Sequence, residues 1–97
     1  MIIGDAKTRI VKIGDRVLDP SSSQRLWNHS QDGFNWGYEG SGCAQLALAL
    51  LLEFSDDNIA PAVYQKFKRE VIARLPMEKS FELSEDFIKD WIKSNAH

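Results

Sequence analysis

The segment "CAQLALALLLEF", residues 43–54, constrains the fold more than any other stretch of the chain. Its side chains are apolar nearly all the way round a helix. A helix with no polar stripe has no face to offer water, so it belongs at the buried centre of whatever forms around it. It is also far short of the ~20 apolar residues needed to cross a bilayer, and no other run reaches that length. A chain of 97 residues buries only about two-thirds of its unfolded surface. Hydrophobic residues make up 43% of it, with three Trp, five Phe and two Tyr, enough for one core. Residues 1–97 are therefore expected to form a single domain around this helix.

The N-terminal third reads as β. Residues 8–13, "TRIVKI", and 16–18, "RVL", are extended runs joined by Gly14-Asp15, a pair suited to the primed turns of hairpins. Pro20 cannot donate to a ladder and ends the hairpin, and Ser21-Ser22-Ser23 reads as a surface loop. A candidate second hairpin spans 25–38 and turns at Asp32-Gly33. In a strand over 34–38, Phe34, Trp36 and Tyr38 would project from one face.

Beyond residue 42 the pattern turns helical. Asn58 is placed to cap a second helix, with Pro61 in its first turn. Over 59–75, Val63, Tyr64, Phe67, Val71 and Leu75 follow the spacing of one buried face, and Lys66, Lys68, Arg69 and Arg74 fall on the solvated remainder. "MEKSFEL" reads as an extended segment, a candidate edge strand. Ser84 is the predicted cap of a last helix, with Glu85 and Asp86 in its first turn and a Leu83–Ile88 staple. Phe87, Ile88, Trp91 and Ile92 form its packing face. Strands first and helices afterwards predict an α+β fold, a small antiparallel sheet of N-terminal hairpins packed against three helices.

Twelve basic residues against fourteen acidic ones leave a net charge of −2, which argues against non-specific nucleic-acid binding. One cysteine, Cys43, rules out an intrachain disulfide, and no secretory signal is visible at the start of the chain. The expected location is cytoplasmic.

The entrance to the central helix is the most unusual part of the sequence. "NHSQDGFNWGYEGSGCAQLALALLL", residues 28–52, resembles the signature of a family of small domains of unknown function in bacteria, archaea and their phages. That pattern runs Asn-His-Ser-Pro-x-Gly-Phe-x-Trp-Gly-Tyr-Gly-Gly-Ser-Gly-Pro-Ala-Gln-Leu-Ala-Leu-Ala. "VYQKFKREVIARLP" and the final acidic-to-aromatic helix resemble the same family's C-terminal half. The resemblance implies relatives but no activity, substrate or cofactor. Where the pattern has proline, this chain has Gln31 and Cys43, and where it has glycine, Glu39. A proline at 43 suits a first helical turn and puts the expected N-cap at Gly42.

Three chemistries are open at this corner. Free N–H groups at the helix start make Gly40-Ser41-Gly42 an anion site, with Arg25 or His29 adding charge. Alternatively the glycines permit a tight turn that Ser41 or Gln45 caps, and it is no nucleotide loop, since Gly-Lys-Ser/Thr is missing. The aromatic set Trp27, Phe34, Trp36 and Tyr38 would either fill the core or stack bases. Cys43 and His29 are the available nucleophile and base, without a third group to orient them; one Cys and two His make no metal set. The leading expectation is a non-enzymatic binding protein, an accessory factor of a mobile element or phage that engages a protein partner and needs no cofactor. The alternative is a small-ligand or anion binder, or an enzyme, with His29, Trp36, Tyr38, Ser41 and Gly42 as the ligand-binding residues.

Overall fold

A computed structural model describes residues 1–96. Three short strands open the chain: β1 (Ile2–Gly4), β2 (Val11–Ile13) and β3 (Arg16–Val17). Helices α1 (Ser21–Leu26), α2 (Ser41–Phe54) and α3 (Ile59–Glu70) follow, then a 3-10 turn at Ile72–Arg74, strand β4 (Phe81–Leu83) and helix α4 (Glu85–Asn95). The fold is α+β, as the order of patterns predicts.

The four strands form one antiparallel sheet in the order β3-β2-β1-β4. Side chains alternate across it as strand geometry requires. Ile2, Val11 and Phe81 turn inward and are buried, while Ile3, Lys12, Val17 and Glu82 share the outer face. The Gly14-Asp15 hairpin forms where expected, with Ile13 opposite Arg16. "MEKSFEL" supplies β4, an edge strand beside β1.

β1, for which the sequence offers no periodicity, is an interior strand of the sheet. Its three residues pair with β2 on one side and β4 on the other. Residues 8–10, expected in the first strand, lie instead in the turn between β1 and β2. The Asp5 carboxylate accepts the amide hydrogens of Lys7 at 2.8 Å and Thr8 at 3.1 Å, and Arg9 turns into the left-handed region at φ 61°.

The serine run is not a loop but α1. Pro20 already has helical backbone angles, and Asp19 accepts the Ser21 N–H at 2.8 Å, so proline opens the helix from the position where its missing donor costs nothing. This makes four helices among the described residues, where three are expected. The second hairpin does not form either. Gly33 and Gly37 take φ 104° and 90°, angles no strand residue adopts. At Gly37 a Cβ would lie 2.3 Å from the backbone of Met77, so the segment 33–38 crosses the 76–79 turn in irregular conformation. Phe34 and Trp36 are buried while Tyr38 is exposed, so the one-faced aromatic strand is replaced by a loop that sends its rings in different directions.

α2 is the buried centre: every residue from Gly42 to Leu51 is buried. It begins two residues earlier than expected, with Gly40 as the extended N-cap and Ala44 N–H on Gly40 O at 3.0 Å. A proline at 43 would still fall within the first turn. α3 packs alongside α2, with α1 and α4 flanking it. The cap of α3 is Asp56 rather than Asn58, since its carboxylate accepts the N–H groups of Asn58 and Ile59 at 2.9 and 2.8 Å. The predicted 59–75 helix breaks after Glu70, and the 3-10 turn then carries the fully buried Ile72. Ser84 caps α4 as predicted, accepting the Phe87 N–H at 3.0 Å. Ile88 and Ile92 pack inward, but Phe87 stands in solvent.

Candidate functional site

The surface around the start of α2 is built on Gln45, which is fully buried in the helix. Its side-chain amide uses all four of its hydrogen-bonding positions. The NH2 group donates to Ser23 Oγ at 2.8 Å and to Trp27 O at 3.1 Å. The oxygen accepts the N–H groups of His29 at 2.8 Å and Ser30 at 3.0 Å. One side chain therefore clamps the backbone of 27–30 to the central helix, although that segment has no regular structure of its own.

The clamp positions His29. Its Nε2 lies 2.6 Å from Tyr64 Oη on α3, and Gln65 Nε2 donates to the same hydroxyl at 3.1 Å. Burial, followed by the charge of Lys68, holds the His29 pKa below its usual value. At neutral pH the ring is uncharged, and the tautomer sets which partner donates in the His29–Tyr64 bond. Trp27 stands against the imidazole with ring centres 6.0 Å apart and is 62% exposed. Lys68, expected on a solvated face, is instead drawn in towards Glu39, Nζ to carboxylate 3.8 Å.

Trp36 belongs to the core. It is fully buried, donates Nε1–H to Lys79 O at 3.0 Å and meets Phe81 edge-on at 4.7 Å. The guanidinium of Arg9 covers its other side, 4.3 Å from the ring centre, and donates to Met77 O. The second terminal nitrogen of Arg9, Nη1, is buried without a partner. Tyr38, by contrast, is 41% exposed, with its hydroxyl accepting from Asn35 Nδ2 at 3.1 Å.

Of the five residues expected to bind a ligand, the structure brings together Tyr38, Ser41 and Gly42. With Ser30, Asp32 and Asn35 they line a shallow polar hollow of about 240 Å³. Gly42 is required there because a Cβ would come within 2.9 Å of Asn35 Cβ, and Asn35 N–H donates to Gly42 O at 3.1 Å. His29 sits beside the hollow through its neighbour Ser30, while Trp36 points away into the core. Ser41 is exposed and caps nothing; Gly40 holds the cap position and Gln45 is spent on the 23–30 clamp. Asp32 brings a carboxylate to the same hollow, which opposes an anion there.

Cys43 is fully buried, and burial raises its thiol pKa, the reverse of what a nucleophile needs. His29 is bonded to Tyr64 rather than to Cys43. No group of three or more metal-ligating side chains occurs among the described residues, and no helix there is long and apolar enough to cross a membrane.

Sequence reasoning undervalued Trp27 and Gln45. Nothing in the aromatic set, which would either fill the core or stack bases, separates Trp27 from Phe34, Trp36 and Tyr38 except its setting, "LWNH", with no second apolar residue at strand or helix spacing after it. Gln45 is the polar break in the apolar helix, and a polar residue there has to be satisfied.

Residues 4–94 match the family of unknown function DUF6166, and the chain belongs to that family. No curated protein and no solved structure gives a significant match.

Proposed function

We propose that this protein is a non-enzymatic binding protein, which docks a protein partner on the surface around the start of α2. The observation that carries this reading is Trp27, left 62% exposed on a backbone that Gln45 hydrogen-bonds to the central helix. A large aromatic on a preorganised support is the kind of anchor on which binding energy concentrates, because little ordering entropy remains to be lost. Tyr38 across the polar hollow gives the surface a second aromatic, and His29 and Lys68 give it hydrogen-bonding and charged edges. The buried Cys43 and the Tyr64-bound His29 support a non-catalytic role.

The resemblance to domains shared by prokaryotes and their phages supports an accessory role in a mobile element or phage, acting in the cytoplasm. Trp36 in the core is no longer free to stack on bases, which supports a protein rather than a single-stranded nucleic acid as partner.

The test is affinity capture at physiological salt, comparing the wild type with Trp27→Ala, Tyr38→Ala and, on the outer face of the sheet, Val17→Ala. Loss of an anchor aromatic costs about 2 kcal/mol or more, roughly thirtyfold in affinity. The same partner should be lost by Trp27→Ala and kept by Val17→Ala. Undiminished capture by both aromatic variants would defeat the reading.

The hollow lined by Tyr38, Ser41 and Gly42 favours a second reading, a small polar ligand at the helix start. Titration with inorganic phosphate, followed by the amide resonances of Ser41, Gly42 and Cys43, tests whether the helix-start N–H groups outweigh the Asp32 carboxylate. Saturable shifts at those amides support the ligand site, and a flat titration removes phosphate as its occupant.

A further inference from the structure

The outer face of the sheet is bare. Alternation sends Ile2, Val11 and Phe81 into the core, so Ile3, Lys12, Val17 and Glu82 form a single row across the four strands. Ile3 is 44% exposed, Val17 52%, and Ile10, continuing the same face beyond β2, 46%. Together with Asp5 and Thr8, Ile3, Ile10 and Lys12 line a broad hollow of about 360 Å³. Lys12 and Glu82 have no ion-pair partner among the described residues.

The order of charges in this row specifies an occupant. Ile3 is paired with Lys12 on one side and Glu82 on the other, so the two opposite charges flank an apolar residue on the central strand at equal spacing. We propose that this face packs on the same face of a second copy of the chain, about a two-fold axis running along β1. Such an axis reverses the strand order of the facing sheet, which lays β2 over β4 and β4 over β2. Ile3 then meets Ile3, and each Lys12 meets Glu82 of the second copy, two identical pairs as a two-fold contact requires. A two-fold along the hydrogen-bond direction would stack Lys12 on Lys12 and Glu82 on Glu82, so the charges select the first arrangement. Asp5 also lies near the axis and there faces Asp5 of the second copy; its carboxylate is turned onto the Lys7 and Thr8 amide hydrogens, and the two Lys12–Glu82 pairs outnumber this one like-charge contact.

The face is small. Four strands about 4.8 Å apart and at most three residues long cover roughly 14 Å by 10 Å, well under the ~800 Å² per partner of a stable complex. The dimer is therefore weak and depends on concentration.

Sedimentation equilibrium of the full chain tests this between about 10 µM and about 1 mM, the range where so small an interface associates. The mean mass should rise from 11.0 kDa towards twice that value. Lys12→Glu or Glu82→Lys alone should weaken association about tenfold or more, and the double exchange Lys12→Glu/Glu82→Lys should restore it. Both positions are exposed, and thermal unfolding of each variant verifies the fold. If a reversal lowers the melting temperature, Lys12→Gln and Glu82→Gln serve instead, with a loss of at least about threefold expected. A constant monomer mass, indifference to the single changes, or no recovery in the double exchange overturns the proposal. Trp27→Ala, on another surface, should leave the self-association constant unchanged.

Discussion

Gln45 shows how one side chain can substitute for secondary structure. Helix α1 satisfies only the Trp27 N–H, through Ser23 O, and Ser30 O, through Gln24; the Trp27 carbonyl and the His29 and Ser30 N–H groups are held by a glutamine 15 to 18 positions further along the chain. Replacing it by Leu keeps the bulk but leaves the His29 and Ser30 donors and the Trp27 carbonyl unpaired, while the buried Ser23 hydroxyl keeps only its bond to Pro20 O. Each such group costs about 1–3 kcal/mol if it stays dry, and water can reach part of this segment. Gln45→Leu should therefore lose about 2–4 kcal/mol in urea unfolding, and Trp27 fluorescence should become more mobile before global unfolding. An unchanged midpoint would show that the clamp is dispensable. Gly37→Ala is the harsher change, since it adds a Cβ at φ 90° and 2.3 Å from Met77 Cα. It should cost about 3 kcal/mol or more, visible as a lower melting temperature. Neither role was legible beforehand. The residue types stood out, a glutamine in an apolar helix and a glycine among aromatics, but their partners are remote in sequence and only the fold reveals them.

At the scale of elements, what was legible was what repeats. α2, α3 and α4 each supply enough turns for an apolar pattern to emerge, and the sequence places them to within a few residues. β1 and α1, with three and six residues, are too short to show a period. α1 looked like a serine loop because serines favour caps and turns when nothing else holds them; here Asp19 and Pro20 start the helix and the clamp on Ser23 keeps it. The candidate site was legible in part for the same reason. The glycines at 40 and 42 announce the helix start, but which rings face water depends on irregular loop geometry that no periodicity encodes. Caps offer a sharp test of these assignments. Ser84→Ala and Asp56→Ala should each cost about 1 kcal/mol, as the loss of a bonded N-cap does. Asn58→Ala, at the position that the sequence alone favours, should change stability by less than about 0.5 kcal/mol. Equal effects at 56 and 58 would reassign the cap of α3.

For the whole molecule, stability should respond to pH in two separate windows. Burial and then Lys68 depress the His29 pKa in the folded state, so the unfolded chain binds a proton first, near the usual value of about 6.5. Stability contributed by the neutral ring is complete above that value and erodes as pH falls towards the folded value. In the protonated ring Nε2 is a donor, so the Tyr64 hydroxyl must then accept from both His29 and Gln65. The second window lies lower. Backbone amide hydrogens from Thr8 and Lys7 hold Asp5 below the ordinary carboxylate value, and the Ser21 amide does so for Asp19. Their contribution is present above the unfolded value of about 3.9 and is lost as pH drops through the folded values. The melting temperature of the wild type should thus fall from about pH 7.5 to about pH 5.5, then again below about pH 4. His29→Gln should flatten the first step while leaving the second in place, because the two sets of groups sit on different elements. Lys68→Ala should move the His29 resonance titration upward, towards the usual histidine value, since it removes the charge that opposes protonation. If His29→Gln falls as steeply as the wild type over the first interval, the neutral imidazole is not what links this surface to the stability of the fold.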